Sequence, residues 1–244
     1  MRRLVVDGYG KFVTQKGDRI VVKDKGKILH HTVAEDLRQV VISGKGGISF
    51  DAIELLGAHG VDEERDVLMG LEGLASQRYW EGLTEIVPTE FKFQGRSGQY
   101  AEDPVNAMFN YGYALLEGEV WRAVHYAGLD PYGGFLHVDR PGRPSMVLDL
   151  MEEFRQQLID KTIISLVTKG SVSSGSFELV EGVCRMDDAT RRLLLRTVLG
   201  SFEEYMRYEG EKRRWTDMVL LQARNVAKYL RGEAAAYEGF YLRW

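Results

Sequence analysis

The sequence predicts an α+β protein, with a small N-terminal β-sheet domain over residues 1–61 and a larger all-α C-terminal domain over residues 62–244 that carries a metal site. Three observations predict it. Residues 1–48 are short runs rich in β-branched residues, separated by turns that contain Gly or Asp. Beyond Val61 apolar residues recur at helical spacing. The stretch from His125 to Arg155 sets an imidazole, basic side chains and carboxylates within one turn-plus-helix unit.

The β runs are LVVDG, GKFVTQ, DRIVVKD, GKILHHTV and RQVVIS, with a hairpin turn at Asp24-Lys25-Gly26-Lys27 and a further break from Gly44 to Gly47. From Ser49 the pattern changes, and Ile53, Leu55 and Leu56 lie on a short helix that Gly60 stops. Asp66 to Ile86 reads as one helical segment. Asp103-Pro104 opens the next, with Asp as N-cap and Pro in the first helical position, followed by Val105, Met108, Phe109, Gly112, Leu115 and Leu116 on one face. Ser145 to Thr168 is a long helix, apolar on one side. SFELVEGVCRM forms a hairpin turning at Glu181-Gly182, an Asp-Asp pair caps a helix from Asp187 to Tyr208, and a last helix from Trp215 to Leu230 ends at Gly232. The EKRR cluster at 211–214 reads as a solvated loop or helix start.

Hydrophobic residues make up 44% of the 244, ample for a packed core. No apolar run reaches the roughly 18 to 20 residues of a membrane span, and MRRLVVDGYG has no signal-peptide pattern, so a cytoplasmic protein without a membrane partner is expected. The single cysteine, Cys184, excludes an intramolecular disulfide and a cysteine-based zinc site, and reads as a small core residue. Net charge is −4 but uneven: +3 over residues 1–60, −8 over 61–130 and +1 over 131–244. The acidic middle suits a metal ion. Arg140, Arg143 and Arg155 leave room for a local phosphate-binding surface.

A helix beginning near Ser145 places Asp149 and Glu152 three residues apart on one face, and the Gly/Pro-rich loop before it can fold His137 back toward them. Two carboxylates and one imidazole suit Mg²⁺ or Mn²⁺ better than zinc, and on spacing alone Asp149 and Glu152 are equally good ligands. A further ligand comes from LMGLEGLASQRYW, where Glu72 sits among Leu68, Met69, Leu71 and Leu74. A carboxylate buried on that face needs a cation or another partner. The alternative is a helix rotation that exposes it.

The motifs EGxxxxxYW, DPVNxxxNYGYxLL, GLDPxxGFLH and SxxxDLxEExR occur here in order, in GLEGLASQRYW and in the run from EDPVNAMFNYGYALL to SMVLDLMEEFR. With SGKGGISFDAIELLGAHGV before them and AYEGFYLRW at the end, the chain resembles the metal-dependent integrase and endonuclease family of CRISPR adaptation. The resemblance implies that Glu72, His137 and Glu152 hold the cation and carry catalysis, with Asp149 a neighbouring acidic residue that orients the site. Arg140 and Arg143 resemble basic residues that meet DNA phosphate. Arg155 is a further candidate for DNA contact, and Asn106 and Tyr111 match the motif helix as supporting residues.

The activity implied is insertion of new spacers in antiviral defence, by cutting or joining DNA phosphodiesters with Mg²⁺ or Mn²⁺. The implied partners are DNA (duplex, branched, protospacer and CRISPR repeat), a second copy forming a homodimer through the β domains, and the small ferredoxin-like CRISPR adaptation protein. The chain departs from the family at one place. AHGV at 58–61 runs almost directly into DEERDVLMGLEG, where the family has several helices. A catalytically impaired DNA-binding scaffold of the same family is therefore the alternative, and a metal-dependent hydrolase of a small phosphorylated substrate is the reading without the resemblance.

Overall fold

The computed structural model describes residues 2–7, 11–43, 47–48, 65–98, 100–135 and 141–240. The short helix expected between Ser49 and Gly60, with His137 and Arg140, lies outside the described residues. The chain divides into two compact units, Met1–Tyr79 and Trp80–Trp244.

The first unit holds strands β1 (Arg2–Asp7), β2 (Lys11–Lys16), β3 (Arg19–Asp24), β4 (Lys27–Val33), β5 (Leu37–Ser43) and β6 (Gly47–Ile48). β1 pairs with β5 in parallel, and β4, β3, β2 and β6 form a second sheet in that order. The β2–β3 and β3–β4 pairs are antiparallel. Lys25 and Gly26 both take positive φ, the requirement of a two-residue hairpin turn whose twist matches its strands. Val6, Val13, Ile20, Val22, Leu37 and Val40 build one core. β4 is an edge strand with no buried residue. A register irregularity between Val22 and Lys23 leaves Leu29 opposite no partner, and Ile28 and Leu29 are both exposed.

Helix α1 (Arg65–Ile86) contains the boundary between the units. The second unit continues with α2 (Pro104–Tyr126), α3 (Ser145–Phe154), a π-helical turn (Arg155–Asp160), α4 (Lys161–Thr168), α5 (Asp188–Glu203) and α6 (Trp215–Leu230). The Asp103 carboxylate accepts the Asn106 N–H at 2.9 Å, so α2 starts where the Asp-Pro signal placed it. Phe109, Leu116, Phe154, Ile159, Ile163 and Leu194 are fully buried at the centre.

Three expectations are corrected here. The second unit is not all-α, because β7 (Phe177–Val180) pairs with β8 (Val183–Met186), and β9 (Tyr205–Tyr208) pairs with β10 (Glu211–Arg214), both antiparallel. The helix from Asp187 stops at Glu203, since Glu204 is extended and Glu209-Gly210 has the positive φ pair of a hairpin turn. EKRR is accordingly a strand, with Lys212 over the Tyr205 ring at 4.6 Å. Within the long helix of Ser145 to Thr168, the middle turn is wound wider, and the Lys161 N–H bonds the Gln156 carbonyl five residues back.

The widened turn crosses α2 at Gly112. A Cβ added there would stand 2.7 Å from Ile159 Cγ2 and 3.3 Å from Ile163 Cδ1. Overcrowding two buried isoleucines outweighs the helix propensity that alanine adds, and Gly112→Ala is expected to cost a net of about 1 kcal/mol. A lower urea midpoint at unchanged denaturant slope checks it.

Candidate metal centre

The loop that leads to His137 is fixed by its own sequence. Gly128, at φ +72°, closes α2, with its N–H on the His125 carbonyl at 3.0 Å. Asp130 then folds a turn, its carboxylate taking the Tyr132 N–H at 3.0 Å. Tyr132 meets Trp121 of α2 edge-on at 5.9 Å. The Pro131 carbonyl accepts the Met146 N–H at 3.1 Å, and Asp149 Oδ2 accepts the Phe135 N–H at 2.5 Å. The loop therefore lies on the first turns of α3. Gly134 permits this approach: a Cβ there would stand 2.5 Å from Ser145 Cβ and 2.9 Å from Asp149 Oδ2.

Asp149 and Glu152 sit one turn apart on α3, as their spacing predicts. Asp149 holds the loop and Glu152 holds Arg155 Nη1 at 2.5 Å, with both side chains of that pair partly exposed. The Arg155 guanidinium also lies over the Tyr113 ring at 5.0 Å, and its Nε is buried without a hydrogen-bond partner. Arg143 is half-buried, and its carbonyl accepts the N–H of Ser145 at the start of α3.

Glu72 is exposed on α1, so the burial that would demand a cation is absent. It belongs to the first unit and Glu152 to the second. Among the described residues no three His, Cys, Asp or Glu side chains form a metal-holding group. The donor chemistry, two carboxylates and an imidazole, fits Mg²⁺ or Mn²⁺.

Asn106 has a scaffolding position. It is fully buried, and its amide donates to Asp103 Oδ2 at 2.6 Å and the Gly95 carbonyl at 2.9 Å. Its Oδ1 accepts Arg96 Nη1 and the Ser97 N–H, both at 3.0 Å. Tyr111 is half-buried. Two residues on, Tyr113 is buried and donates to Asp160 Oδ1 at 2.6 Å. Arg96 covers the same ring at 5.3 Å. Burial, then the Asp160 charge and hydrogen bond, push the Tyr113 phenol far above its ordinary value, while burial lowers Arg96. Sequence reasoning missed Tyr113, Asp160 and Arg96. The available signal was heptad spacing, since Tyr113 follows Asn106 by seven residues and shares its face.

The geometry of Arg155 and Asp160 explains the π turn. At 100° per residue, groups five apart on an α-helix diverge by about 140°. Winding the turn wider brings both to Tyr113.

The family model described as "CRISPR associated protein Cas1" matches residues 4–63 and 61–199. The chain belongs to the Cas1 family. The Cas1 match comes in two pieces that meet where AHGV runs into DEERD. A curated relative, "CRISPR-associated endonuclease Cas1 1" of Archaeoglobus fulgidus, is 34% identical over 345 residues, covering 99% of this chain and 100% of its own. That span exceeds the 244 residues here, so the alignment opens gaps in this chain. "CRISPR-associated endonuclease Cas1 3" of Thermus thermophilus is 38% identical over 74% of this chain, which spans 55% of that relative's length. In fold, the chain is similar to a casposase bound to integration product (TM-score 0.68, 21% identity, 98% of this chain and 93% of that one). It is also similar to a Cas1 protein from Thermotoga maritima (TM-score 0.65, 14% identity, 98% and 100%).

Proposed function

We propose that this Cas1-family chain is a divalent-metal-dependent DNA endonuclease and integrase of CRISPR adaptation, acting in the cytoplasm to insert new spacers in antiviral defence. Membership of the family carries the reading. Glu72, His137 and Glu152 would hold Mg²⁺ or Mn²⁺. Bound there, the ion would supply Lewis-acid polarisation of the scissile phosphate and would offset the charge that develops on it.

The chain's own groups set the stage. Asp149 and Gly134 hold the loop before His137 on α3. Arg155 keeps Glu152 on the exposed side of the helix, and the partly exposed end of its guanidinium would add positive charge for DNA phosphate beside it. Arg140 and Arg143 would meet the DNA backbone. Water as nucleophile gives hydrolysis, and a DNA 3′-hydroxyl gives strand transfer. The partners in this reading are duplex or branched DNA, protospacer and CRISPR repeat, the small ferredoxin-like adaptation protein, and a second copy. The exposed Ile28 and Leu29 on β4 support pairing through the β unit.

The second reading, a DNA-binding scaffold without turnover, is favoured by the two-piece family match around residues 61–63. One assay separates them. Branched and linear DNA are incubated with the protein in Mn²⁺, Mg²⁺ or chelator, beside Glu72→Ala, His137→Ala and Glu152→Ala. The enzyme reading expects cleavage or joining that needs the metal and that each substitution abolishes. DNA retention without turnover would establish the scaffold, and full activity in the alanine variants would refute the ligand assignment.

A further inference from the structure

The last turn of α3 carries Glu152, Glu153 and Phe154, which leave the helix about 100° apart from one to the next. Glu152 faces outward with Arg155. Glu153 faces the other way, and three groups converge on its carboxylate. Gln222 Nε2 of α6 donates to Oε2 at 3.0 Å, the Phe240 N–H donates to the same oxygen at 2.9 Å, and the Tyr237 hydroxyl donates to Oε1. Gln222 is fully buried and also donates to the Glu238 carbonyl at 3.2 Å, while its own carbonyl takes Asn225 Nδ2 at 2.8 Å. The Phe240 ring stacks on Phe154 at 5.5 Å and 11°. Trp215 meets it edge-on at 5.7 Å, and Tyr208 stands 5.5 Å away.

We propose that residues 237–240 form a strap that fixes the rotation of the Glu152-bearing turn of α3, with Glu153 as its positioning residue. The strap acts on the last α-helical turn before the π turn. The Arg155 N–H still bonds the Met151 carbonyl four residues back, and the five-back bonding is in place at Lys161, so the change of winding follows directly on the anchored turn. Side-chain anchors at positions 153 and 154 hold that turn against its neighbours, and with it the direction of position 152. A rotation of about 20° would move a carboxylate roughly 6 Å from the helix axis by about 2 Å, far outside the ±0.2 Å that a metal site tolerates. Glu153 has a second effect, because its carboxylate can be satisfied by the strap backbone only while Phe240 stays in its aromatic cage. The hydrogen bonds and the ring contacts therefore dock together.

The consequence for metal rests on Glu152 being a ligand, whereas the strap itself is read without metal. The full chain is compared with Glu153→Ala, Glu153→Gln, Tyr237→Phe and Phe240→Ala by hydrogen–deuterium exchange and by Mn²⁺ binding, followed as free Mn²⁺ in electron paramagnetic resonance. Glu153→Ala and Phe240→Ala are expected to speed amide exchange across residues 149–156 at least tenfold, with α2 and α5 unchanged. They are also expected to weaken Mn²⁺ binding by roughly tenfold, the scale of a lost supporting contact. Glu153→Gln keeps one acceptor oxygen and should recover most of both effects. Faster exchange in residues 233–240 with none in α3 would overturn the strap, and so would a uniform rise over the whole unit in Tyr237→Phe, the mildest variant. Mn²⁺ affinity unchanged in variants whose α3 exchanges faster would also overturn its positioning role. A wild-type chain that binds no Mn²⁺, but whose α3 exchange depends on Glu153, would overturn the metal reading and leave the strap standing.

Discussion

Asp160→Ala is expected to destabilise the second unit by about 4 kcal/mol, the scale for removing one partner from a buried charged network. Asp160 is 2% exposed and accepts the Tyr113 hydroxyl at 2.6 Å. Around that ring stand two guanidiniums, Arg96 at 5.3 Å and Arg155 at 5.0 Å. Without the carboxylate, the buried phenol would lose its acceptor and the Arg96 guanidinium a neighbouring negative charge. Asp160→Asn keeps an oxygen for Tyr113 and loses only the charge, so it should cost about half as much. Urea unfolding of the three proteins checks the order, and equal midpoints for wild type and Asp160→Ala would show that the network contributes nothing.

Two phenols, Tyr113 in this cluster and Tyr237 beside Glu153, set an alkaline limit. The phenols of Tyr113 and Tyr237 are both raised by burial and by a neighbouring carboxylate. The folded state therefore keeps protons that the unfolded chain gives up near its ordinary value of about 10. Their contribution is full below that pH and falls as pH rises above it. Unfolding midpoints measured from pH 9 to about 11 should decline, and Tyr113→Phe should make the decline shallower.

The β runs, the Asp103 cap and the spacing of Asp149 and Glu152 were legible because each is a local pattern with a local cause. Glu181-Gly182 was legible as a hairpin turn for the same reason. Glu209-Gly210 has the same positive φ pair, yet its flanks YMRY and EKRR lack the β-branched residues that mark strands, so the helical reading extended through them. The π turn left no signal in the apolar pattern, because its cause is tertiary: Arg155 and Asp160 meet a tyrosine on another helix. Glu153 was hidden in the same way. Beside Glu152 it reads as one more helix carboxylate, and only the return of residues 237–240 shows what it holds. Glu72 stood among leucines that suggested burial, and the helix presents it outward.

In the proposed reaction, Gly134→Ala is expected to reduce metal-dependent DNA cleavage by about 100-fold, because it acts on where the loop sits. The glycine is needed for space. An added Cβ would stand 2.5 Å from Ser145 Cβ and 2.9 Å from the Ser145 carbonyl carbon. Ser145 is fully buried at the start of α3, so backbone and a short side chain must yield, and neither has a free rotamer to move into. The loop is the easier element to shift. Lifting it stretches the 2.5 Å bond from the Phe135 N–H to Asp149, two residues before His137 and the nearest such tie among the described residues. A displacement of about 1 Å at a catalytic group costs on the order of 100-fold in rate, so the loss should fall on kcat with DNA affinity nearly unchanged. Asp149→Ala removes the same tie from the other side and should produce a similar loss. Combining the two should then add little, because both release one loop. Multiplicative losses in the double variant would mean that Asp149 acts on the site directly as well as through the loop.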